Sequence, residues 1–116
     1  MDHYILNDNN LAIPVDMMTW GRWLDDATQT RRRIVAQEDV GPYWVSTVFI
    51  GLDMRIIGDG PPLLFETMIF PHNSWRDKWC DRCSSWAEAI DMHEQGVAVA
   101  IAWTETGHKE EDDAGR

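Results

Sequence analysis

The stretch YWVSTVFI, residues 43–50, decides the fold of this chain. Nearly all of its side chains are β-branched or aromatic, which suits the pleated, half-buried surface of a strand. A second such stretch, LLFETMIF at residues 63–70, follows a break at GDGPP. Residues 33–40 predict one more strand, which ends at Gly41-Pro42, a dipeptide typical of turns. Short turns between successive strands favour an antiparallel meander.

Two predicted helices flank these strands in the sequence. Residues 17–28 place apolar side chains at helical spacing after Asp16, whose carboxylate can accept from the free amides of a first turn. Residues 86–103 follow Ser85, which forms a capping-box pattern with Glu88. The chain is therefore predicted to be an α+β domain, a small antiparallel three- to four-stranded meander with two helices packed on one face. The predicted core stripe of the second helix is Trp86, Ile90, Val97 and Ile101.

Length and charge narrow the class of protein further. A chain of 116 residues has room for one core, which we expect within residues 1–103, and the acidic residues 104–116 predict a flexible tail. The formal net charge of −10 disfavours direct contact with nucleic-acid phosphates and favours a basic protein partner.

Location in the cell is predicted from what the sequence lacks. No segment approaches the run of about 20 apolar residues that spans a bilayer, so we expect no membrane contact. The N-terminus, MDHY, has no signal-peptide pattern. We therefore expect a cytoplasmic protein whose two cysteines are reduced thiols.

Three central segments form a pattern that resembles a known family. They are VSTVFIGLD at residues 45–53, GDGPPLLFETMIF at residues 58–70, and SWAEA at residues 85–89 with His93. This pattern is similar to that of a family of small, uncharacterised proteins from tailed bacteriophages and prophages. The resemblance implies a phage-encoded protein made in the cytoplasm of a bacterial host, and it brings no activity with it. The chain departs from the family pattern in the insert of residues 71–81 and at Cys83, where an aromatic residue is expected.

Cys80-x-x-Cys83, with His72 and His93, is the sharpest chemical pattern in the chain. Two thiolates at this spacing can bind one Zn²⁺ from a turn, and two imidazoles can complete a tetrahedron. A structural zinc site usually brings a second pair of ligands at similar spacing, and free cysteine is more often a small buried apolar residue. The sequence therefore favours no cofactor, with zinc as the alternative.

His93 lies on the apolar side of the second predicted helix. Histidine is the commonest general base, but no nucleophile is placed near this one by the sequence. A histidine in such a position more often binds a carboxylate or a backbone group at the edge of a core, and Glu66 is one possible partner. We expect a structural role for His93 and no enzymatic activity.

The sheet face opposite the helices is the predicted partner site. Alternation places polar and aromatic side chains of the two strongest strands on this face, a mixture typical of interaction surfaces. Burial by a second subunit, in a homodimer, or by the N-terminal segment is the alternative. Two tryptophans of the insert either cover the core or project as anchors for a partner. The predicted partner-binding residues are Trp44, Ser46, Glu66, Met68, Trp75 and Trp79.

These features lead to one functional hypothesis and two alternatives. The hypothesis is a phage-encoded accessory protein that binds a host protein, such as a defence protein or host enzyme that it inhibits, without chemistry of its own. One alternative is a small metal- or ligand-binding protein built around Cys80, Cys83 and His93. The other is a virion or assembly component that binds another phage protein.

Overall fold

The computed structural model describes residues 2–55 and 58–107. Within these ranges the chain forms two helices and two antiparallel sheets, which is the α+β class predicted from the sequence. The strands are β1 (His3–Leu6), β2 (Ala12–Val15), β3 (Ile34–Val40), β4 (Tyr43–Phe49), β5 (Phe65–Pro71) and β6 (Trp79–Cys83), and the helices are α1 (Met17–Gln29) and α2 (Trp86–Thr106).

The larger sheet is a meander in the order β3-β4-β5-β6. Its two central strands, β4 and β5, pair from Tyr43 opposite Pro71 to Phe49 opposite Phe65. The fourth strand, β6, begins within the insert of residues 71–81, extends to Cys83 and was not predicted by itself. Its sequence, WCDRC, is half polar because an edge strand with exposed side chains needs little apolar content.

Helix α2 lies across one face of this sheet and contacts all four of its strands. Its buried residues are mostly small, and an added Cβ on Gly96 would lie 3.0 Å from Cγ2 of Thr67 and 3.3 Å from Cγ1 of Val45. The missing side chain therefore lets the helix approach the sheet closely. The predicted stripe was wrong in part, since Ile90 and Ile101 are each 44% exposed. The side of α2 that carries small residues is the one that faces the sheet.

The β1–β2 hairpin and α1 cover one end of the sheet. Strand β1 was not predicted, and it pairs with β2 from His3 opposite Val15 to Leu6 opposite Ala12. Helix α1 lies against β1. It reaches the core of the sheet through Trp23, whose ring meets the ring of Phe49 edge-on at 5.6 Å between centroids.

The ends of both helices follow from local chemistry. Oδ1 of Asp16 accepts a hydrogen bond from the Thr19 N–H at 2.7 Å, which confirms the predicted N-cap of α1. The capping box of α2 is confirmed as well, since the Glu88 N–H donates to Oγ of Ser85 at 3.2 Å. Helix α2 ends at Gly107, whose φ of 70° lies in the left-handed region.

The predicted acidic tail, residues 104–116, falls mostly outside the described part of the chain. Residues 104–106 belong to α2, and residues 108–116 lie outside the described part of the chain. Neither helix in the described ranges has the length and apolar content that a bilayer crossing requires.

Candidate functional site

The two faces of the β3–β6 sheet differ in what covers them. We call the face that contacts α2 the inner face and the opposite one the outer face. Successive side chains of a strand point to opposite faces, and β4 and β5 alternate accordingly between more buried and less buried positions. On these two strands the outer-face residues are Trp44, Ser46, Val48, Glu66, Met68 and Phe70.

The outer face has an aromatic end. Trp44 and Phe70 lie opposite each other on β4 and β5, with ring centroids 5.8 Å apart. Met68 follows next to Phe70 on the same face, opposite Ser46. All but Ser46 are only partly buried, because α2 packs on the other side of the sheet. The predicted residues Trp44, Ser46, Glu66 and Met68 therefore lie together on this face.

The two tryptophans of the insert have different positions. Trp75 is 95% exposed in the loop between β5 and β6. Trp79 lies instead on the inner side, in the apolar cluster around Val45 and Ile69, where its ring would lie 3.4 Å from a Cβ on Gly96. Trp79 therefore covers the core, and only Trp75 of this pair projects for a partner.

The polar end of the outer face is an ion pair. Nε of Arg82 donates to Oε2 of Glu66 at 2.9 Å, and Sγ of Cys80 lies 3.5 Å from the same oxygen. Glu66 points away from α2, so the prediction that it binds His93 is wrong. The partner of His93 is Glu38 on β3, whose side chain lies on the inner face.

The four predicted metal ligands do not come together. Cys80 and Cys83 lie on strand β6 and not on a turn, so an odd spacing sends their side chains to opposite faces. His72 lies beside Asp39, with 3.3 Å between Nε2 and Oδ1. His93 belongs to α2 and is buried between that helix and the sheet. Within the described ranges, no group of three or more His, Cys, Asp and Glu side chains could hold a metal ion.

Both thiols are held in their protonated form. Burial raises the pKa of Cys80 to about 11, and the nearby Glu66 carboxylate adds to this effect. Burial also raises the pKa of Cys83 to about 11, with a further contribution from Glu88. Because the thiolate is the nucleophile, neither cysteine is activated for nucleophilic attack at neutral pH.

A buried hydrogen-bond chain joins α2 to three strands. Oγ1 of Thr47 lies 2.7 Å from Nδ1 of His93 and 2.6 Å from Oγ1 of Thr67. Nε2 of His93 lies 2.9 Å from Oε1 of Glu38. The carboxylate accepts from Nε2–H, so with a neutral imidazole Nδ1 accepts from the Thr47 hydroxyl. Every polar atom of the ring thus has a partner, which is what burial of a histidine requires.

This chain has the composition of a hydroxyl–imidazole–carboxylate catalytic triad but lacks access for a substrate. Thr47 and Thr67 are 0% exposed, and His93 is 4% exposed. A nucleophile must reach the reacting atom of its substrate. The arrangement instead stabilises the contact between the helix and the sheet. The only sign of this hydrogen-bond chain in the sequence is a pair of threonines at inner-face positions of β4 and β5 that are otherwise apolar.

A groove of about 680 Å³ lies between the β1–β2 hairpin and the start of α2. Its walls include Leu11, Ile13 and Trp86, with Phe65 at its base, and none of its lining side chains carries a charge. The groove can therefore receive an uncharged group. The sequence could not reveal it, because it forms only where the hairpin meets the helix.

Comparison with known protein families, curated proteins and solved structures finds no match to this chain.

Proposed function

We propose that this chain is a phage-encoded accessory protein that acts by binding a host protein, without chemistry of its own. The observation that carries the proposal is the outer face, where Trp44, Met68 and Phe70 lie together and keep part of their surface exposed, with α2 on the opposite side of the sheet. Aromatic residues and methionine are enriched at the centres of protein interfaces. The outer face therefore supplies the central contact of the proposed complex.

The composition of the outer face is unusual for a surface that meets only water. An antiparallel sheet with one solvated face normally carries polar side chains there. Trp44 and Phe70 are large apolar side chains, and the surface that they leave exposed gains no burial energy until a partner covers it. This difference from the expected pattern supports recognition by another protein.

Trp75 adds a contact at the rim of this surface. Its loop leaves β5 after Pro71, which lies opposite Tyr43, so the loop starts at the same end of the sheet as Trp44 and Phe70. A side chain that is 95% exposed has its whole apolar area available to a partner. Tryptophan is among the residues that contribute most to binding at interfaces.

Charge favours a basic partner. The chain carries a formal net charge of −10, so a positively charged protein approaches it faster than a neutral one does. The faces of Trp44 and Phe70 can also accept arginine side chains by cation–π contact. The origin of the partner in a bacterial host rests on the family resemblance of the central segments.

The buried hydrogen-bond chain supports a role in binding and not in catalysis. Thr47 and His93 could form a nucleophile and its base by chemistry, but both are buried between α2, which carries His93, and the sheet. The contact between Thr47 and His93 therefore stabilises the packing of α2 on the sheet.

Capture from a bacterial lysate at low salt, with two matched variants, tests the proposal. Met68→Glu places a charge on the outer face, and Met18→Glu makes the same change on α1, where the side chain is 66% exposed. We expect the wild type and Met18→Glu to retain the same host protein, and Met68→Glu to bind the purified protein about tenfold more weakly. Thermal melting checks that each variant is folded. Equal binding by both variants would contradict the proposal.

A further inference from the structure

Strand β6 is an open edge of the larger sheet. It is the last strand in the order β3-β4-β5-β6, so one side pairs with β5 and the other pairs with no strand in the described ranges. Cys80, Asp81 and Arg82 are exposed. The Arg82 N–H donates to Oδ1 of Asp81 at 2.9 Å and is therefore not used for pairing with β5. Such an edge is a template on which another chain can add a strand.

The two edges of the sheet differ in their readiness for pairing. Edge strand β3 has a register shift between Ile34 and Ala36, and such irregularities protect an edge from further pairing. Strand β6 keeps one register along its whole length, from Phe65 opposite Cys83 to Ile69 opposite Trp79. Regular backbone is what an added strand requires, so β6 is the edge that suits it.

Acidic side chains border the β6 edge on the helix side. A groove of about 270 Å³ between β6 and α2 is lined by the carboxylates of Asp81, Glu88 and Asp91. Arg82 also lines it, but Glu66 already binds its guanidinium at 2.9 Å. Helix α2 carries no lysine or arginine in its sequence. The groove therefore attracts cations and repels acidic side chains.

We infer that the β6 edge binds an extended segment of a partner protein that carries lysine or arginine at every second position. This inference rests on the proposed function, because it specifies which part of a protein partner the chain recognises. Alternate side chains of an added strand point to the helix side, where they meet the carboxylates of Asp81, Glu88 and Asp91. The residues between them extend the outer face beside Cys80 and Arg82.

Charge also selects against a second copy of this chain on the same edge. Two copies paired through β6 would bring the acidic groups of each groove together, and like charges on neighbouring strands are destabilising. The Asp81 carboxylate that binds the Arg82 N–H occupies an edge donor in the free chain. A cationic side chain on the added strand attracts this carboxylate and releases the N–H for strand pairing.

Synthetic peptides separate strand pairing from simple charge attraction. The probe is a capped nonapeptide that alternates lysine with threonine, and its affinity is measured by titration calorimetry at low salt. A peptide of the same composition with its lysines in one block should bind about tenfold more weakly. Two further peptides carry backbone N-methyl groups at odd or at even residues, and only the one whose methyl groups face β6 should lose about tenfold. Equal affinity of all four peptides would overturn the inference.

Two charge-matched variants locate the binding site. Asp81→Asn/Asp91→Asn removes two charges beside β6, and Asp25→Asn/Asp26→Asn removes two exposed charges on α1. The first double variant should weaken the alternating peptide about tenfold, and the second should change its affinity by less than about twofold. Binding should also slow hydrogen exchange of the Arg82 amide. An equal loss in both variants, or no protection of that amide, would overturn the inference.

The same variants distinguish this inference from the proposed function. If Asp81→Asn/Asp91→Asn binds the captured host protein as well as the wild type while Met68→Glu does not, the edge inference fails and the proposed function stands. If Met68→Glu has no effect on capture, the proposed function fails whatever the peptides do. A homodimer that dissociates when Asp81 and Asp91 are neutralised would overturn the choice of a basic partner.

Discussion

The inner and outer faces of the β3–β6 sheet are built from the same strands, but α2 covers the inner face and not the outer one. The centre of the inner face carries two threonines, Thr47 and Thr67, which are both fully buried. The outer face carries Trp44, Met68 and Phe70, which are more apolar than these threonines and yet only partly buried. The rest of the inner face on β4 and β5 is apolar, with Tyr43, Val45, Phe49, Phe65 and Ile69 all buried, so the two threonines show that the fit to α2 counts in addition to hydrophobicity. The face that is covered is the one that complements α2.

Complementarity between α2 and the inner face has two components. The first is shape, because Gly96 lets the helix approach Val45 and Thr67. The second is polar, because each ring nitrogen of His93 forms a hydrogen bond, one with the buried Thr47 hydroxyl and one with the Glu38 carboxylate. In the described part of the chain, α2 meets the sheet on the inner face and leaves the outer face partly exposed.

Removing a phenylalanine ring should give the largest difference between the faces. Phe65 is 0% exposed on the inner face, and Phe65→Ala should lower the free energy of unfolding by about 3–5 kcal/mol through a cavity in the core. Phe70→Ala, on the outer face, should cost about 1 kcal/mol. Urea unfolding measures both values. Equal costs would mean that the outer face is buried in the folded chain.

Filling the space at Gly96 should reveal the close approach of α2. Gly96→Val should destabilise the chain by about 1–3 kcal/mol, because its added atoms meet Thr67, Val45 and Trp79. No atom lies within 4 Å of a Cβ built on Gly21 in α1, so Gly21→Ala should stabilise by about 0.5–1 kcal/mol. Thermal melts compare the two. A stabilising Gly96→Val would show that the helix is not tightly packed.

Deleting one hydroxyl on each face should show that a lost hydrogen bond costs more on the inner face than on the outer face. Thr47→Val preserves the shape of the side chain but leaves Nδ1 of His93 without its partner, at a cost of about 1–3 kcal/mol. Ser46→Ala removes the bond from Nε2 of Gln37 at 3.0 Å and should cost about 0.5 kcal/mol. Only the first change should move the NMR signals of the His93 ring. Unchanged His93 signals in Thr47→Val would contradict the hydrogen-bond chain.

The smallest effect on stability is expected at the two cysteines, where the difference lies in the rate of thiol alkylation. The pKa of each thiol is raised from 9.0 to about 11, so at pH 8 iodoacetamide should react about a hundredfold more slowly than with a free thiol. A raised folded-state pKa contributes stability that is present below pH 9 and is lost as the pH rises through about 11.

Cys83 serves as the internal control for Cys80. Glu66→Gln removes a carboxylate from beside Cys80 and should speed its alkylation by roughly threefold, without changing Cys83 on the other face. Peptide mapping by mass spectrometry separates the two sites. An equal increase at both cysteines would indicate local unfolding of β6.

Local features of this fold were predictable, and features that depend on pairing were not. Strands β4 and β5 follow from their own composition, and the caps at Asp16 and Ser85 follow from side chains within three residues of the amides that they bind. Strands β1 and β6 are short and partly polar, so only their neighbours make them strands. Long-range pairing energy decided these elements.

The candidate sites divide in the same way. Alternation along β4 and β5 was enough to place Trp44, Ser46, Glu66 and Met68 on one face. The partner of His93 could not be found from the sequence, because Glu38 lies 55 residues away and Glu66 was an equally good candidate. The same holds for Trp79, since a tryptophan on an edge strand faces the core or the solvent according to one residue of register.

The sequence by itself determined the α+β class, the two central strands, the helix caps and the acidic charge, because propensity, capping and charge act over a few residues. Only the tertiary structure decided which helix lies across the sheet, which tryptophan projects and which carboxylate binds His93. Those outcomes depend on how distant surfaces fit together, and the fit of α2 on the inner face is set by the shape of small residues, which the hydrophobic pattern does not record.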